Sequence, residues 1–250
     1  MLKLLENKDV DAVLSYLKDD PVSVRIKSNL SAYGCSYPFA RFWAQYDENG
    51  EITAVLSDLS GAFTLTFSDS ADTEEINALL HFSDCGSVFL KKEKADILGE
   101  NIKRSGDILR FAENTACAYE ADIFCDMKQA FALIEENSGE SVIKLDFLEW
   151  LSDFTFKSNR NKARLRALNE NGELLSFAMT SAETENAAVI SGVFTRKDKR
   201  KQGFGEKVLL SLTQSLLSEN KKVYIMTAEK ALSGYYRKRG FEIIGCWAEV

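Results

Sequence analysis

The chain has 250 residues, 45% hydrophobic and 28% charged, with a formal net charge of -7. That balance excludes a disordered or fibrous chain, and the acidic whole argues against a general nucleic-acid binder, whose backbone affinity needs net cationic surface. No run approaches the ~18 apolar residues of a membrane span, and "MLKLLENKDV" lacks the apolar block of a secretory signal, so the expected location is the cytoplasm. Cys35, Cys85, Cys117, Cys125 and Cys246 are scattered without a C-x-x-C pair, and His81 is the single histidine. No metal site is expected from such a set; the cysteines read as small buried apolar side chains and His81 as structural.

At this length one large or two small domains fit. Along the chain, "NKDVDAVLSYLKDD" places Val10, Val13, Leu14 and Leu17 at helical spacing, and Pro21 suits the first turn of a second helix closed by Gly34. The period then changes to two. "ARFWAQY", "EITAVLSD" and "AFTLTF" read as strands, the first two joined by a turn at Asn49-Gly50. "DTEEINALLHF" reads as a helix, "GSVFLK" and "ILRFAE" as short strands, and "CDMKQAFALIEEN" and "DFLEWLSDFTF" as two more helices. Strands return in "ARLRAL", "ELLSFAMT" and "AAVISGVFT". A helix with Leu209, Leu212 and Leu216 on one face follows, then the strand "KVYIMT", the helix "KALSGYYRKR" and the strand "FEIIGCW".

One four-residue repeat stands out. "ENGE" at Glu48 to Glu51 recurs at Glu170 to Glu173, each time after two helices and inside a run of three strands. This suggests a structural duplication whose second copy alone kept the segment "FTRKDKRKQGFGEKVLL". There Arg196, Lys197, Lys199, Arg200 and Lys201 precede Gly203, Gly205 and an apolar helix. A strand feeding a glycine loop that opens a helix presents unpaired N–H groups at the positive end of the helix dipole, which is an anion site. The spacing is not that of a Walker loop, and Val208 stands where a dinucleotide fingerprint requires its third glycine.

The pattern that fits is R-x-x-G-x-G, read as Arg200-Lys201-Gln202-Gly203-Phe204-Gly205 after the strand "ISGVFT". Here the chain resembles the GCN5-related N-acetyltransferase (GNAT) superfamily. The second matching element is "YYRKRGFEIIG", with Tyr236 four residues before Gly240. The resemblance covers roughly Asp107 to Val250 and, within the superfamily, looks most like the FR47-like acetyltransferases of bacteria. It implies an α/β fold with a mixed sheet: a GNAT domain over 106–250, and over 1–105 a degenerate GNAT-like copy.

The resemblance further implies acetyl-CoA as co-substrate. Pantetheine would pair with backbone near Val193, Phe194 and Thr195, and pyrophosphate would rest on the amides from Lys201 through Gln202, Gly203 and Phe204 to Gly205, with Arg200 at the rim. The expected activity is acetyl transfer to a primary amine of a small molecule or peptide by direct attack in a ternary complex. Tyr236 is the expected proton donor to the departing sulfur, since a phenol of pKa ≈ 10 donates to a thiolate with little penalty, and Tyr235 is its packing neighbour. No carboxylate stands on "AAVISGVFT"; Glu149, Asp153, Glu183 and Glu185 read as solvated surface charges. Lack of an evident base motivates an alternative, a non-catalytic acyl-CoA-binding module of sensory or structural role. The chain stops soon after "GCWAEV", which leaves a sheet edge for the amino-terminal half or a second subunit to cover; a homodimer is one expectation, with neither nucleic acid nor membrane as partner.

Overall fold

The computed structural model describes residues 1–83, 85–99, 101–112, 119–137 and 146–250; Cys117 lies outside them. The chain forms two compact units. The first comprises Met1–Leu109, Met226–Gly234 and Ile243–Val250, the second Arg110–Ile225 and Tyr235–Glu242.

In the first unit, β1 (Leu2–Leu4), β2 (Ala40–Tyr46), β3 (Ile52–Leu59) and β4 (Ala62–Phe67) pair antiparallel in sequence order. β5 (Ser87–Lys91) then runs parallel to β4. The next places in the order are taken by β11 (Phe241–Glu249), whose Trp247–Glu249 pair antiparallel with β5, and by β6 (Arg104–Phe111). The final strand is therefore full length, and its end belongs to the first unit. Helices α1 (Val10–Tyr16), α2 (Pro21–Tyr33), α3 (Thr73–Phe82) and α4 (Lys92–Leu98) complete this unit. α2 starts at a proline that needs no N–H partner, and the Asp20 carboxylate accepts from the Val22 and Ser23 amides. β1 and α4 are additions to the sequence reading: three residues are too few for a period to show, and "KKEKADIL" carries little apolar signal.

In the second unit, β7 (Leu165–Glu170), β8 (Glu173–Glu183) and β9 (Ala187–Thr195) pair antiparallel, and β10 (Lys222–Thr227) runs parallel to β9. α5 (Met127–Asn137) and α6 (Phe147–Ser158) put Leu133, Ile134 and Phe154 into a core with Leu165, Phe177 and Met179 of the sheet. α7 (Phe204–Leu217) buries Val208, Leu209, Leu212 and Leu216; α8 (Lys230–Arg237), which belongs to the first unit as far as Gly234, precedes the last strand.

The two "ENGE" stretches fold differently. Asn171 (φ 52°) and Gly172 (φ 83°) are both left-handed, and Glu170 pairs with Glu173, the geometry of a two-residue type I′ hairpin. In the first copy only Gly50 is left-handed (φ 81°). There the Asp47 carboxylate accepts from the Asn49 and Glu51 amides, both at 2.9 Å, and the strand register shifts at Gln45/Tyr46. An aspartate two residues before the asparagine changes the turn by offering the backbone an alternative acceptor.

Candidate functional site

The site is built where β9 changes partner. Its register with β10 runs from Ala187↔Lys222 to Ile190↔Ile225 and stops there. On the other side, the register with β8 skips one residue between Ile190 and Gly192, so Ser191 is bulged and exposed. Beyond it, Gly192 to Thr195 stay paired with β8 alone. The Arg196 N–H donates to the Leu175 C=O at 3.0 Å; counting back by twos, Phe194 and Gly192 turn their backbone groups toward β8, whereas Val193 and Thr195 turn theirs to the open edge. Of the predicted contact residues, Val193 and Thr195 thus offer main-chain groups. Phe194 instead packs its ring on Phe177 (centroids 5.1 Å apart), and its carbonyl accepts from Ser176 Oγ.

The loop that follows carries the basic cluster, and its charges are unequal. Arg196 donates to Glu173 at 2.5 Å and to Asp198, while Arg200 donates to Asn137 Oδ1 at 2.5 Å and to the Thr195 carbonyl. Those two guanidiniums brace the loop against β8 and α5. Lys197 and Lys201 are exposed. Asn137 and Glu136, which accepts from the Lys197 N–H, took no part in the sequence reading because their partners lie some sixty residues on.

Two left-handed residues, Lys201 (φ 62°) and Gly203 (φ 86°), turn the chain into α7. Gly203 is the N-cap and has no side chain to cap with, and the first helical bond is Lys207 N–H to Gly203 C=O at 3.1 Å. The amides at the start of α7 consequently have no intrahelical acceptor, and successive N–H groups in such a turn form an anion-binding concavity. Gln202 is exposed and donates to the Asp198 carbonyl, and Phe204 begins the helix. The second glycine has another reason. A Cβ on Gly205 would lie 3.0 Å from Thr195 Oγ1, 3.6 Å from the Tyr235 hydroxyl and 3.7 Å from Val193 Cγ1, so α7 approaches β9 as closely as it does only because position 205 is bare.

Tyr236 is 6% exposed, its ring edge-on to Tyr235 and Phe241. Tyr235, expected to be the packing member of the pair, reaches the first turn of α7 with its hydroxyl. Arg239 lies 3.6 Å over its ring and donates to Glu206 on α7 at 2.6 Å. Burial pushes the Tyr235 phenol above its ordinary value.

The carboxylates expected at the surface divide. Glu149 and Glu185 are exposed, and Asp153 pairs with Lys157 at 3.0 Å. Glu183 corrects the expectation: it is fully buried. It accepts from Arg164 Nε (2.9 Å) and Nη2 (2.7 Å), Lys221 Nζ (2.8 Å) and Thr180 Oγ1 (2.8 Å). Its lone pairs are committed to an ion network that also contains Glu219, so it is not placed to serve as a base. Of the cysteines, Cys125 is buried, with its thiol pushed up to about 11, and Cys35, Cys85 and Cys246 are partly exposed.

A strand that splays from its parallel neighbour, then a glycine turn and an uncapped helix, defines a mixed α/β fold with an anion-receptive turn at the end of one strand. Solved structures agree. A tandem GNAT protein from the clavulanic acid biosynthesis pathway is 13% identical over 100% of this chain and 97% of its own, with a TM-score of 0.63. A GCN5-related N-acetyltransferase from Sphaerobacter thermophilus is 13% identical over 100% and 94%, TM-score 0.65. A GNAT-family acetyltransferase from Colwellia psychrerythraea is 13% identical over 100% and 99%, TM-score 0.57. At such identities the likeness is one of fold, and it includes a two-domain GNAT arrangement. No curated protein matches the chain. Residues 146–247 match the sequence model of the acetyltransferase (GNAT) domain, and this part of the chain belongs to the GNAT superfamily. The match stands at the level of that domain rather than of the FR47-like group within it. Among the described residues no helix is long and apolar enough to cross a membrane.

Proposed function

We propose that the protein is an N-acetyltransferase that moves acetyl from acetyl-CoA to a primary amine of a small molecule or peptide by direct attack in a ternary complex. The observation that carries this reading is the run of groups that, among the described residues, lack a main-chain partner, from the open edge of β9 into the uncapped start of α7. The residues fit the cofactor: Val193 and Thr195 offer an edge for an extended amide-bearing arm, and the amides from Lys201 to Gly205 offer a concavity for pyrophosphate. When bound, the cofactor supplies an activated acetyl thioester.

In this reading the Ser191 N–H at the bulge stabilises negative charge that develops on the carbonyl oxygen. Tyr236 holds a proton for the departing sulfur while the amine nitrogen bonds to the acetyl carbon. The amine proton leaves through water, since β9 carries no carboxylate and Glu183 is committed elsewhere. The FR47-like assignment and a cytoplasmic, bacterial setting belong to the same reading.

The test is release of free thiol when protein and acetyl-CoA are mixed with a panel of primary amines. Thiol release is expected with some amine, and Tyr236→Phe should lower kcat by about a hundredfold with cofactor Kd unchanged. Tight cofactor binding without release over the whole panel would favour the binding-module reading; no cofactor uptake would overturn both.

A further inference from the structure

A cavity of the second unit lies along β7, apart from the α7 turn. It measures about 470 Å³, within the range of small-molecule sites, about 300–1,000 Å³. β8 stands between β7 and the splayed β9. Glu219, which borders the cavity, lies just past the carboxyl end of α7, whose 14 residues span about 21 Å from the glycine turn.

The floor of this cavity is apolar. Met127 of α5, Phe154 of α6 and Leu165 of β7 line it, and they belong to the core between those helices and the sheet. The rim is apolar as well: Ile123 and Phe124 are 77% and 73% exposed, and both line the same hollow. That rim is fixed. Asp122 and Ala167 exchange both main-chain hydrogen bonds at 2.8 Å, and Asn169 Nδ2 donates to the Asp122 carboxylate (2.8 Å) and to the Phe124 carbonyl (3.2 Å). Adjacent large apolar side chains held beside a hollow form a surface that an apolar body would withdraw from water.

One charge on the wall is in surplus. Arg164 and Arg166 both line the cavity, two positions apart on one face of β7. Arg164 is held by Glu183 and Glu219, and Lys221 by the same two carboxylates, so two cations and two anions balance. Arg166 has no ion pair among the described residues. Its Nη1 donates to the Leu165 carbonyl at 2.9 Å and its Nη2 to Ser215 Oγ at 2.6 Å, both neutral acceptors. Those bonds use two of a guanidinium's five N–H donors. Burial, with the like charge of Arg164 beside it, draws this guanidinium below its usual value, and a carboxylate against it would offset both.

We infer that this cavity is a binding site for a small amphipathic carboxylate, its acid group on Arg166 and its apolar chain or ring over Met127, Phe154 and Phe124. A planar carboxylate meets the arginine fork with parallel hydrogen bonds, and the surplus positive charge selects an acid over an amine or alcohol of the same shape. The site is distinct from the α7 turn and does not rest on the acetyl-transfer reading.

The experiment uses the intact chain labelled with methyl-carbon-13 methionine. The Met127 methyl resonance, assigned by M127L among the four methionines, is followed while octanoate, 3-phenylpropanoate, octanol or octylamine is added to millimolar concentration. A saturable shift is expected with at least one of the two acids, with a midpoint about tenfold or more below those of octanol and octylamine. R166M should raise the acid's midpoint about tenfold or more and leave the weaker octanol shift unchanged, whereas F124S, at an exposed position, should weaken acid and alcohol alike. No shift with either acid, equal midpoints for acid, alcohol and amine, or an acid midpoint unmoved by R166M or by F124S would each refute the site. Should R166M fail to fold, R166K, which keeps the charge and loses the fork, is read by the same criterion.

Discussion

Gly203 and Gly205 are two residues apart in one motif, yet their replacement by alanine should fail in different ways. At position 203 the backbone is left-handed (φ 86°, ψ -4°) and a Cβ would meet nothing within 4 Å, so the penalty is conformational alone. A left-handed non-glycine residue costs about 1–2 kcal/mol, and for a chain of this size each kcal/mol moves Tm by about 2–4 °C. Gly203→Ala should therefore lower Tm by roughly 2–8 °C. At position 205 the backbone is already helical, and alanine gains up to about 0.8–1.0 kcal/mol of helix propensity. Against that gain stands a Cβ at 3.0 Å from Thr195 Oγ1, which cannot swing freely because it also shares a 2.9 Å contact with Ser176 Oγ. α7 must move from β9 by a few tenths of an ångström, and the two terms nearly cancel in stability. The shift nonetheless displaces the amides that face the proposed pyrophosphate. Gly205→Ala should keep Tm within about 4 °C of the parent while raising the acetyl-CoA Kd about tenfold, equivalent to one hydrogen bond lost. Differential scanning fluorimetry and isothermal titration calorimetry read the two effects separately. Unchanged affinity in Gly205→Ala would refute the claim that the close approach of helix and strand shapes the cofactor groove.

The buried ion network should be a weak point of the second unit. Glu183→Gln leaves Arg164 and Lys221 with Glu219 as their remaining carboxylate; loss of one member of a buried pair costs about 3 kcal/mol, so urea unfolding should show a drop of that order, and a change under about 1 kcal/mol would contradict the assignment. Acid should act through Glu219. The hydrogen bond from Arg164, assisted by Lys221 and opposed by burial, brings its carboxyl to about 2 from an ordinary 4.5. A depressed folded-state value means stability that is complete above 4.5 and is lost as pH falls toward 2. Because this side chain is 45% exposed, solvent screening reduces the effect. Unfolding midpoints measured down this acid limb should fall less steeply in Glu219→Gln than in the parent.

How much of this was readable in the chain depends on how local each cause is. The loop from Arg196 to Gly205 was legible because its constraints are local: a left-handed turn selects glycine at 203, and a helix that begins without a capping side chain shows itself in the letters. The Asn-Gly turns were legible as turns but not as types, since Asp47 alters the first from outside the repeated letters. Glu183 was misread for a different reason. Beside Glu185 in a polar turn it has the composition of a surface residue, and the Arg164, Lys221 and Glu219 that make its burial tolerable come together only through the pairing of β8 with its neighbours and the end of α7. The same holds for the last strand. "FEIIGCW" announces a strand, but only the register Trp247↔Lys91 shows that its end completes the first unit's sheet. That register also sets Trp247 against Phe89, more than a hundred and fifty positions away, a pairing invisible to any reading of neighbours along the chain.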